Sequence, residues 1–256
     1  MLVTILGAAG SLGRALTEVI LDDDHQVIGF DSNEWALAAY RHDYPEATAV
    51  MADMSDWYPG GEDVVIICSA YKHIDLCEEN PLSAIENNIT KLETALRRAS
   101  HDKVMTLFIS TDKAVKPIST YGFTKAIGER LAQYYGAQVA RLGNIMGSSG
   151  SVIPVWERQI ENREPLTVTS LKMKRYLISQ EFAAKEIWGG FKLGYKLIIP
   201  EMGEPVKITD LLSQILRKHN IAGIEAYKPG IEIIGLRGGE KLDEVLTWTT
   251  DTPNTI

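Results

Sequence analysis

The first 21 residues constrain the fold most strongly. An apolar stretch, Leu2–Leu6, leads directly into a glycine-rich turn and then into an amphipathic segment at residues 14–21. Glycines at these positions permit a tight turn, and they let backbone N–H groups at a helix N-terminus approach a diphosphate. The sequence therefore predicts a strand, turn and helix that bind a dinucleotide, although an ordinary connecting turn is an alternative. The predicted contacts are Gly7, Gly10, Ser11, Leu12 and Gly13.

Apolar stretches and amphipathic segments continue to alternate along the chain. Strands are predicted at residues 25–30, 48–54, 63–68, 105–109, 138–142 and 196–200, and helices at residues 33–40, 81–99 and 178–191. This alternation is typical of an α/β fold with a doubly wound parallel sheet. We predict a Rossmann domain over residues 1–150, to which residues 178–200 return. A small substrate-binding lobe would comprise residues 151–177 and 201–256, with helices at 153–162 and 208–219 and an extended run at 166–169.

Acidic and small residues follow the predicted strands. Asp31 stands about 20 residues after the glycines, where a carboxylate accepts hydrogen bonds from an adenosine ribose. That position favours NAD, although Ser32 and Asn33 leave NADP open, and Asp31 could instead cap the next helix.

The next two strand ends also face the predicted cofactor. Asp53, followed by Met54, is placed to meet an adenine amino group, with a surface acid as the alternative. Ala70, Lys72 and His73 follow the fourth strand on the cofactor face, and Lys72 and His73 also approach the substrate.

Residues 109–125 concentrate the reactive side chains. The strand at 105–109 would deliver Thr111, Asp112 and Lys113 at its carboxyl end, where open parallel sheets bind ligands. Tyr121 and Lys125 follow with i,i+4 spacing and would share one helix face. A phenol beside an ammonium loses its proton more readily, because the positive charge favours phenolate. A surface ion pair at the strand end is the alternative for Asp112 and Lys113, and a pair on the helix surface is the alternative for Tyr121 and Lys125.

The second half supplies candidate substrate contacts. The segment at 143–151 reads as a polar loop, the kind of segment that lines a substrate site. Basic residues near position 175 could meet an anionic substrate or form a solvated face. Arginine in the glycine-rich segment 235–241 suits a diphosphate. The predicted contacts are Asn144, Ser151, Val152, Arg175, Arg237 and Glu240.

Composition excludes several classes of protein. The 256 residues carry a formal net charge of -8, which argues against nucleic acid as a partner. No apolar run reaches the roughly 20 residues of a membrane span, and a first strand at Leu2 leaves no room for a signal peptide, so we expect a cytoplasmic protein. Cys68, in an apolar strand, and Cys77, in a polar loop, are expected to be reduced thiols, and no metal site is predicted.

Several motifs together carry a resemblance. The glycine-rich first turn and Tyr121-x-x-x-Lys125 resemble the extended short-chain dehydrogenase/reductase superfamily. Segments 110–117, 141–154 and 235–242 are similar to signatures of the UDP-N-acetylglucosamine 4,6-dehydratases of polysaccharide biosynthesis. The resemblance covers nearly the whole chain, and the combination is more specific than any single motif.

The resemblance implies a lyase with a tightly bound, recycled NAD(P). Hydride would leave C4 of the sugar while Tyr121 accepts a proton, and Lys125 would lower the pKa of that phenol and hold the nicotinamide ribose. A neutral Lys113 would then remove the C5 proton while Asp112 protonates the departing C6 hydroxyl, and Thr111 would bond near the C4 oxygen. Hydride would return to C6. A neutral Lys113 requires burial or a neighbouring cation, for which Lys125 is a candidate.

Two features depart from one uniform family pattern. Tyr121 matches the branch that inverts C5, whereas residues 30–34 and the 148–150 loop look like the retaining branch, so the stereochemistry stays open. Gly238 stands where the family usually has proline, which loosens a loop expected to hold the diphosphate. A homo-oligomer that binds a UDP-sugar is expected. A nucleotide-sugar 4-epimerase and a non-catalytic cofactor-binding module are the alternative functions.

Overall fold

Seven short apolar stretches form one parallel sheet, which confirms the predicted doubly wound α/β fold. In the computed structural model, which describes residues 1–148, 151–248 and 251, the sheet comprises β1 (Leu2–Leu6), β2 (Gln26–Asp31), β3 (Thr48–Met51), β4 (Val64–Ile67), β5 (Met105–Thr111), β6 (Gln138–Leu142) and β11 (Leu197–Ile198). The four residues of β4 are all fully buried, as expected for a strand covered on both faces.

Helices occupy much of the remaining described chain, and those that pack on the sheet cover both of its faces. The helices are α1 (Ser11–Asp22), α2 (Glu34–Asp43), α3 (Ile74–Glu79), α4 (Pro81–Ile85), α5 (Leu92–His101), α6 (Thr120–Tyr134), α7 (Val152–Glu161), α8 (Gln180–Lys192) and α9 (Ile208–Lys218). Single 3₁₀ turns occupy Met54–Asp56, Asp112–Ala114 and Ile224–Ala226.

The order of the strands creates a crevice beside the glycine turn. Across the sheet the order is β11-β6-β5-β4-β1-β2-β3, so the chain reverses its direction of winding between β1 and β4. In open α/β sheets, ligands bind at the carboxyl ends of the strands at such a reversal. The glycine turn after β1 and the loop after β4 meet there, because Ser69 donates its N–H to the carbonyl oxygen of Leu6.

Apolar side chains pack on both sides of this sheet. On one side α1 and α8 enclose Leu16, Ile20, Ile187 and Trp188, so α8 returns to the main sheet after the chain has left it. On the other side α5 packs Leu96 and its neighbours against β4 and β5. A rigid sheet packed on both faces fixes the positions of the strand ends.

A separate apolar core lies outside the main sheet. Trp156 of α7 and Leu212 of α9 pack with Leu166 and Tyr227. Pairs of very short strands frame this core: β7 (Asn144–Ile145) with β10 (Leu177–Ile178), β9 (Lys174–Arg175) with β12 (Val206–Lys207), and β8 (Leu166–Val168) with β13 (Ile231–Ile233). The division of the whole chain into two domains stays a prediction.

Several element boundaries differ from the predicted ones. The third strand ends at Met51, because Asp53 caps the following 3₁₀ turn. The helix predicted over 81–99 contains a π-helical turn at Glu86–Lys91, between α4 and α5. The sequence pattern also missed α3, so Cys77 lies buried on a helix and not in a polar loop. Short amphipathic turns carry too little periodicity to be recognised.

Some predictions fall outside the described residues. Positions 149 and 150 of the 143–151 loop, and positions 249, 250 and 252–256 of the predicted lobe, are among them. Within the described ranges, no helix combines the length and the apolar character needed to cross a membrane.

Candidate active site

The glycine turn has the close packing that its sequence predicts. Gly7 has a φ of +89°, and a Cβ atom there would lie 2.7 Å from the backbone N of Ser69. A Cβ at Gly13 would lie only 2.4 Å from the carbonyl oxygen of Gly7, so helix α1 packs directly on the turn. Gly10 is the N-cap of α1 and brings no side chain to the helix N-terminus. The turn therefore exposes backbone dipoles to the crevice, as a dinucleotide requires.

A cavity of about 600 Å³ runs from this turn to the end of β5. Asp31 and Asp53 line the cavity near one end, and Tyr121 and Lys125 line it near the other. This arrangement fits an elongated dinucleotide. The predicted site residues that line it are Gly7, Gly10, Ser11, Leu12, Gly13, Asp31, Ser32, Asp53, Ala70, Lys72, His73, Thr111, Lys113, Tyr121, Lys125, Asn144 and Ser151.

Asp31 faces this cavity and is held by the backbone. One carboxylate oxygen accepts from the N–H of Ala9 at 3.1 Å, and the other accepts from the N–H of Asn33 at 2.9 Å. Asn33, not Asp31, caps α2, since its side chain accepts from the N–H of Ala36. The alternative role of Asp31 as the helix cap is therefore wrong, and its carboxylate is oriented toward the glycine turn.

The third strand ends in two residues with different environments. Asp53 lines the cavity, where its carboxylate accepts from Ser55 and forms an ion pair with Lys91 at 2.7 Å. Met54, predicted to touch the cofactor, is 5% exposed and packs in the core with Trp57. Its contribution beneath the cavity is apolar packing, and a direct contact with the cofactor stays a prediction.

Asp112 and Lys113 form a close pair in the 3₁₀ turn after β5. The Nζ atom of Lys113 lies 2.9 Å from Oδ1 of Asp112, and Thr111 donates its hydroxyl to the same oxygen at 3.0 Å. Asp112 is fully buried, and its second oxygen accepts no hydrogen bond from the described residues. A buried carboxyl oxygen without a hydrogen-bond partner destabilises the folded chain unless a further group binds to it.

The neighbours of Lys113 differ from those expected. The sequence suggested Lys125 as a nearby cation, but the ammonium of Lys125 donates to the carbonyl oxygen of Ile109 at 2.5 Å. Lys113 instead lies near two acids, Asp112 and Glu244, the latter at 3.9 Å, and it donates to the side-chain oxygen of Asn144 at 3.3 Å. The expected cationic neighbour is therefore wrong, because α6 directs Lys125 back toward the strand.

Helix α6 presents Tyr121 to the same turn. A Cβ at Gly122 would lie 2.6 Å from the carbonyl oxygen of Lys113, so glycine permits the helix to approach the turn closely. Burial raises the pKa of Tyr121, the Asp112 carboxylate raises it further, and a hydrogen bond with Thr111 lowers it only in part. The net change in the pKa of Tyr121 is thus upward, and the lowering effect of Lys125 on this phenol stays a prediction.

Lys125 itself has an altered proton affinity. Burial lowers the pKa of its ammonium to about 8, and Glu129 opposes this change. The Nζ atom also lies 4.2 Å from the centre of the Phe108 ring. Near neutral pH the Lys125 side chain is therefore a buried cation in the wall of the cavity.

A second cavity of about 340 Å³ adjoins the first. Lys113 is among the residues that line both cavities. Arg237 is exposed at one edge, where it donates to Asp75 at 3.3 Å and where its backbone N–H donates to Glu240. The predicted substrate contacts that line this cavity are Lys72, His73, Asn144, Ser151, Val152, Arg175, Arg237 and Glu240.

Arg175 lies in this wall but is largely engaged by the backbone. Its guanidinium donates to the carbonyl oxygens of Lys174, Lys241 and Leu242 at 2.8–2.9 Å. It therefore fastens residues 240–248, which we call the strap, beside the cavity. A further contact of Arg175 with the substrate stays a prediction.

Sequence reasoning missed the buried groups that support this site. Arg141 forms a two-pronged ion pair with Glu129, at 2.9 and 2.7 Å, and Glu129 also accepts from Ser110. Asn88, in the π-helical turn, donates to the carbonyl oxygen of Tyr71 and accepts from its N–H, which fixes the loop after β4. The unusual buried charges at positions 129 and 141, inside apolar patterns, were the available signals.

Comparison with known proteins matches residues 3–256 to the family described as polysaccharide biosynthesis protein. Capsular polysaccharide biosynthesis protein CapD of Staphylococcus aureus is 36% identical over 95% of this chain, which spans only 44% of that relative. UDP-glucose 4-epimerase of Rickettsia bellii is 36% identical over 94% of the chain and 76% of the relative. UDP-N-acetylglucosamine 4,6-dehydratase (inverting) of Campylobacter jejuni is 29% identical, with 98% and 78% coverage.

Solved structures share the fold. Pen from Bacillus thuringiensis superposes with a TM-score of 0.84 at 26% identity, over 94% of this chain and 80% of that one. DesIV, a dTDP-glucose 4,6-dehydratase from Streptomyces venezuelae, gives a TM-score of 0.83 at 19% identity, with 96% and 88% coverage. The resemblance drawn from the motifs is confirmed: the chain belongs to the polysaccharide biosynthesis protein family, among the nucleotide-sugar dehydratases and epimerases of the extended short-chain dehydrogenase/reductase superfamily.

Proposed function

We propose that this protein is a nucleotide-sugar 4,6-dehydratase that converts UDP-N-acetylglucosamine to a UDP-4-keto-6-deoxy-N-acetylhexosamine. The observation that carries this proposal is the buried Asp112 beside Lys113, a residue that lines both cavities. A reaction that only oxidises and reduces C4 needs Tyr121 and Lys125 but no second acid and base. The Campylobacter jejuni relative named for this activity supports the assignment.

The cofactor proposed for the larger cavity is a tightly held NAD(P), which supplies a hydride acceptor that is regenerated in each cycle. Glycine at positions 7 and 13 supports this, since a side chain at either would collide with backbone. The oriented carboxylate of Asp31 favours NAD, because a 2′-phosphate would meet like charge there. DesIV, whose solved structure contains NAD, shares the fold.

Tyr121 is proposed to accept the proton of the C4 hydroxyl. The burial and the Asp112 charge that raise its pKa in the chain without ligands oppose this step. Asp112 in its neutral, protonated form would remove one of these obstacles. The later elimination also requires a protonated Asp112, so both steps use the same protonation state of this carboxyl group.

Asp112 and Lys113 are proposed to perform the elimination. A carboxylic acid beside a neutral amine carries the same number of protons as a carboxylate beside an ammonium. Across the 2.9 Å contact, one proton transfer interconverts these forms, so the proposed state requires no added proton. Lys113 then takes the C5 proton while Asp112 gives its proton to the C6 hydroxyl, which leaves as water. Acid and base steps of this kind each supply about 10²–10⁴-fold.

A nucleotide-sugar 4-epimerase is the second candidate. The Rickettsia bellii relative that carries this name is 36% identical, above the 29% of the named dehydratase. An epimerase would return hydride to C4 from the other face and would leave C6 untouched. The product would then be an isomer with the mass of the substrate.

Pairing of two copies through α4 and α6 is also proposed. Both helices expose large apolar side chains, and α4 packs against α6. Exposed large apolar side chains on two packed helices favour association. Its members are Leu82, Ile85, Phe123, Ile127 and Tyr134.

Mass spectrometry of the product tests the function directly. Incubation with UDP-N-acetylglucosamine is expected to give loss of one water, and ¹H NMR of the product would assign C5 as inverted or retained. Lys113→Ala should abolish water loss while NAD still binds, whereas Lys228→Ala, at an exposed position, should behave as wild type. An isomer of unchanged mass would favour the epimerase. Cofactor binding without turnover of any UDP- or dTDP-hexose would support a non-catalytic module.

A further inference from the structure

Glu244 is a buried carboxylate that the proposed chemistry does not use. Its side chain is 2% exposed, and its Oε1 atom lies 3.9 Å from Nζ of Lys113. Its other oxygen forms an ion pair with Lys241 at 2.7 Å. Burial of a carboxylate is strongly unfavourable unless cations remain beside it. Glu244 is therefore placed between two lysines, one of which belongs to the reacting pair.

The strap that carries Glu244 is fastened on both sides of this residue. Before it, Arg175 donates to the carbonyl oxygens of Lys241 and Leu242. After it, Arg141 donates to the carbonyl oxygen of Leu246 at 2.7 Å. The side chain of Lys241 also donates to the carbonyl oxygen of Val115, just beyond the turn that carries Lys113. These contacts hold the carboxylate at a fixed distance from the amine.

The elimination changes the charge at Lys113. The C5–H bond breaks, its proton goes to the amine, and its electron pair forms the C5–C6 double bond as the C6–O bond breaks. Asp112 gives its proton to that oxygen, so the step ends with an ammonium beside a carboxylate. A fixed negative charge near the amine stabilises the ammonium that forms, and such preorganised charge lowers the barrier.

We propose that Glu244 is a positioning residue for Lys113, which it orients toward C5 and whose developing positive charge it stabilises. The role rests on the proposed dehydratase function. The other groups that face Lys113 are Asp112 and Asn144, and Lys241 faces Glu244 from the strap.

The test compares Glu244→Gln with Asp243→Asn, which removes the same charge from the adjacent, exposed position of the strap. Glu244→Gln is expected to lower kcat for water loss about 10- to 100-fold, with KM within twofold of wild type. The acid limb of the kcat profile should move to lower pH, because an amine without its neighbouring anion loses its proton more easily. Asp243→Asn should change none of these quantities.

Two further readouts separate positioning from folding. In a single turnover, Glu244→Gln should accumulate absorbance at about 340 nm from reduced cofactor, since oxidation at C4 precedes the impaired step. Solvent deuterium should enter C5 more slowly than in wild type. Glu244→Asp, which retains a carboxylate, should recover part of kcat and of the pH profile, and it replaces Glu244→Gln if that variant does not fold.

The outcomes are distinguishable. Wild-type kcat and pH profile in a folded Glu244→Gln would overturn this role and leave the dehydratase function intact. Lower thermal stability in both Glu244 variants, with unchanged pH profiles, would also overturn it, because the residue would then be only structural. A wild-type chain that produces an isomer of unchanged mass would overturn the proposed function, and this role with it.

Discussion

The ammonium of Lys125 donates to the carbonyl oxygen of Ile109 at 2.5 Å, on the strand that leads to the reactive turn. This contact ties the helix that carries Tyr121 to the sheet. It also places a cation in a buried position, 3% exposed, where its pKa falls to about 8. Lys125 therefore lines the candidate site but lowers the stability of the folded chain.

Lys125→Met should stabilise the folded chain while it abolishes turnover. A lysine whose folded pKa is lowered from 10.5 to about 8 destabilises the native state at neutral pH, because folding buries the charged form. Replacement by an apolar side chain should raise the free energy of unfolding by about 1–3 kcal/mol at pH 7. Urea unfolding measures this difference.

The same variant has a defined pH dependence. Between about pH 8 and 10.5 the unfolded chain binds a proton that the folded chain does not, so wild-type stability rises with pH in this window. The advantage of Lys125→Met should therefore shrink above pH 8. A difference that stays constant from pH 7 to 10, or a less stable variant at pH 7, would contradict the assignment.

The glycine turn offers a matched pair of substitutions. Gly13→Ala places a Cβ 2.4 Å from the carbonyl oxygen of Gly7, whereas the nearest atom to a Cβ at Gly10 is 3.4 Å away. The first change should cost about 1–3 kcal/mol of folding free energy through overpacking, and the second should cost little. Urea unfolding and calorimetric titration with NAD would measure both.

NAD affinity should fall in both glycine variants for different reasons. Gly13→Ala displaces the turn, whereas Gly10→Ala adds a methyl group to the cavity wall. Equal stability of the two variants would show that α1 shifts easily away from the turn. Unchanged NAD affinity in both would remove the turn from the cofactor site.

The ion pair of Arg141 with Glu129 should be important for stability. Arg141→Ala leaves Glu129 buried without its cation, and such changes cost about 3–5 kcal/mol. Arg97→Ala breaks an exposed pair with Glu93 and should cost less than about 1 kcal/mol. Chemical denaturation compares the two. The double variant Arg141→Met with Glu129→Leu should recover most of the loss, and its failure to do so would contradict this account.

The proposed pairing surface can be tested without an activity assay. Phe123→Asp introduces a charge on the exposed face of α6 and should convert an oligomer to monomers in sedimentation velocity experiments. Trp35→Asp alters an aromatic residue on α2 that is even more exposed than Phe123, and it should leave the assembly unchanged. Dissociation of the Trp35 variant alone would indicate that another surface mediates association.

Local patterns in the sequence predicted the sheet and much of the cavity lining. The glycine turn, the buried strands and the i,i+4 placement of Tyr121 and Lys125 all follow from short-range periodicity and turn chemistry. Each of these features depends on residues close together in the chain. For that reason the doubly wound fold and the lining of the cavity near β1 could be derived before the structure was known.

Contacts between distant segments could not be predicted in this way. The side chain of Lys241 donates to the carbonyl oxygen of Val115, 126 positions away in sequence. No periodic pattern in the sequence indicates that these two segments lie close together. The direction of the Lys125 ammonium likewise depends on the packing of α6 against β5. The pKa of Tyr121 therefore changed opposite to the prediction, because burial and Asp112 outweighed the expected effect of Lys125.

The strap gives the chain an order of assembly during synthesis. The described strands of the main sheet all precede it, so the ribosome releases that sheet before the segment that carries Glu244. A nascent chain can therefore bury its core and form the Asp112–Lys113 pair while the wall beside that pair is still missing. That wall forms only once the strap has been synthesised.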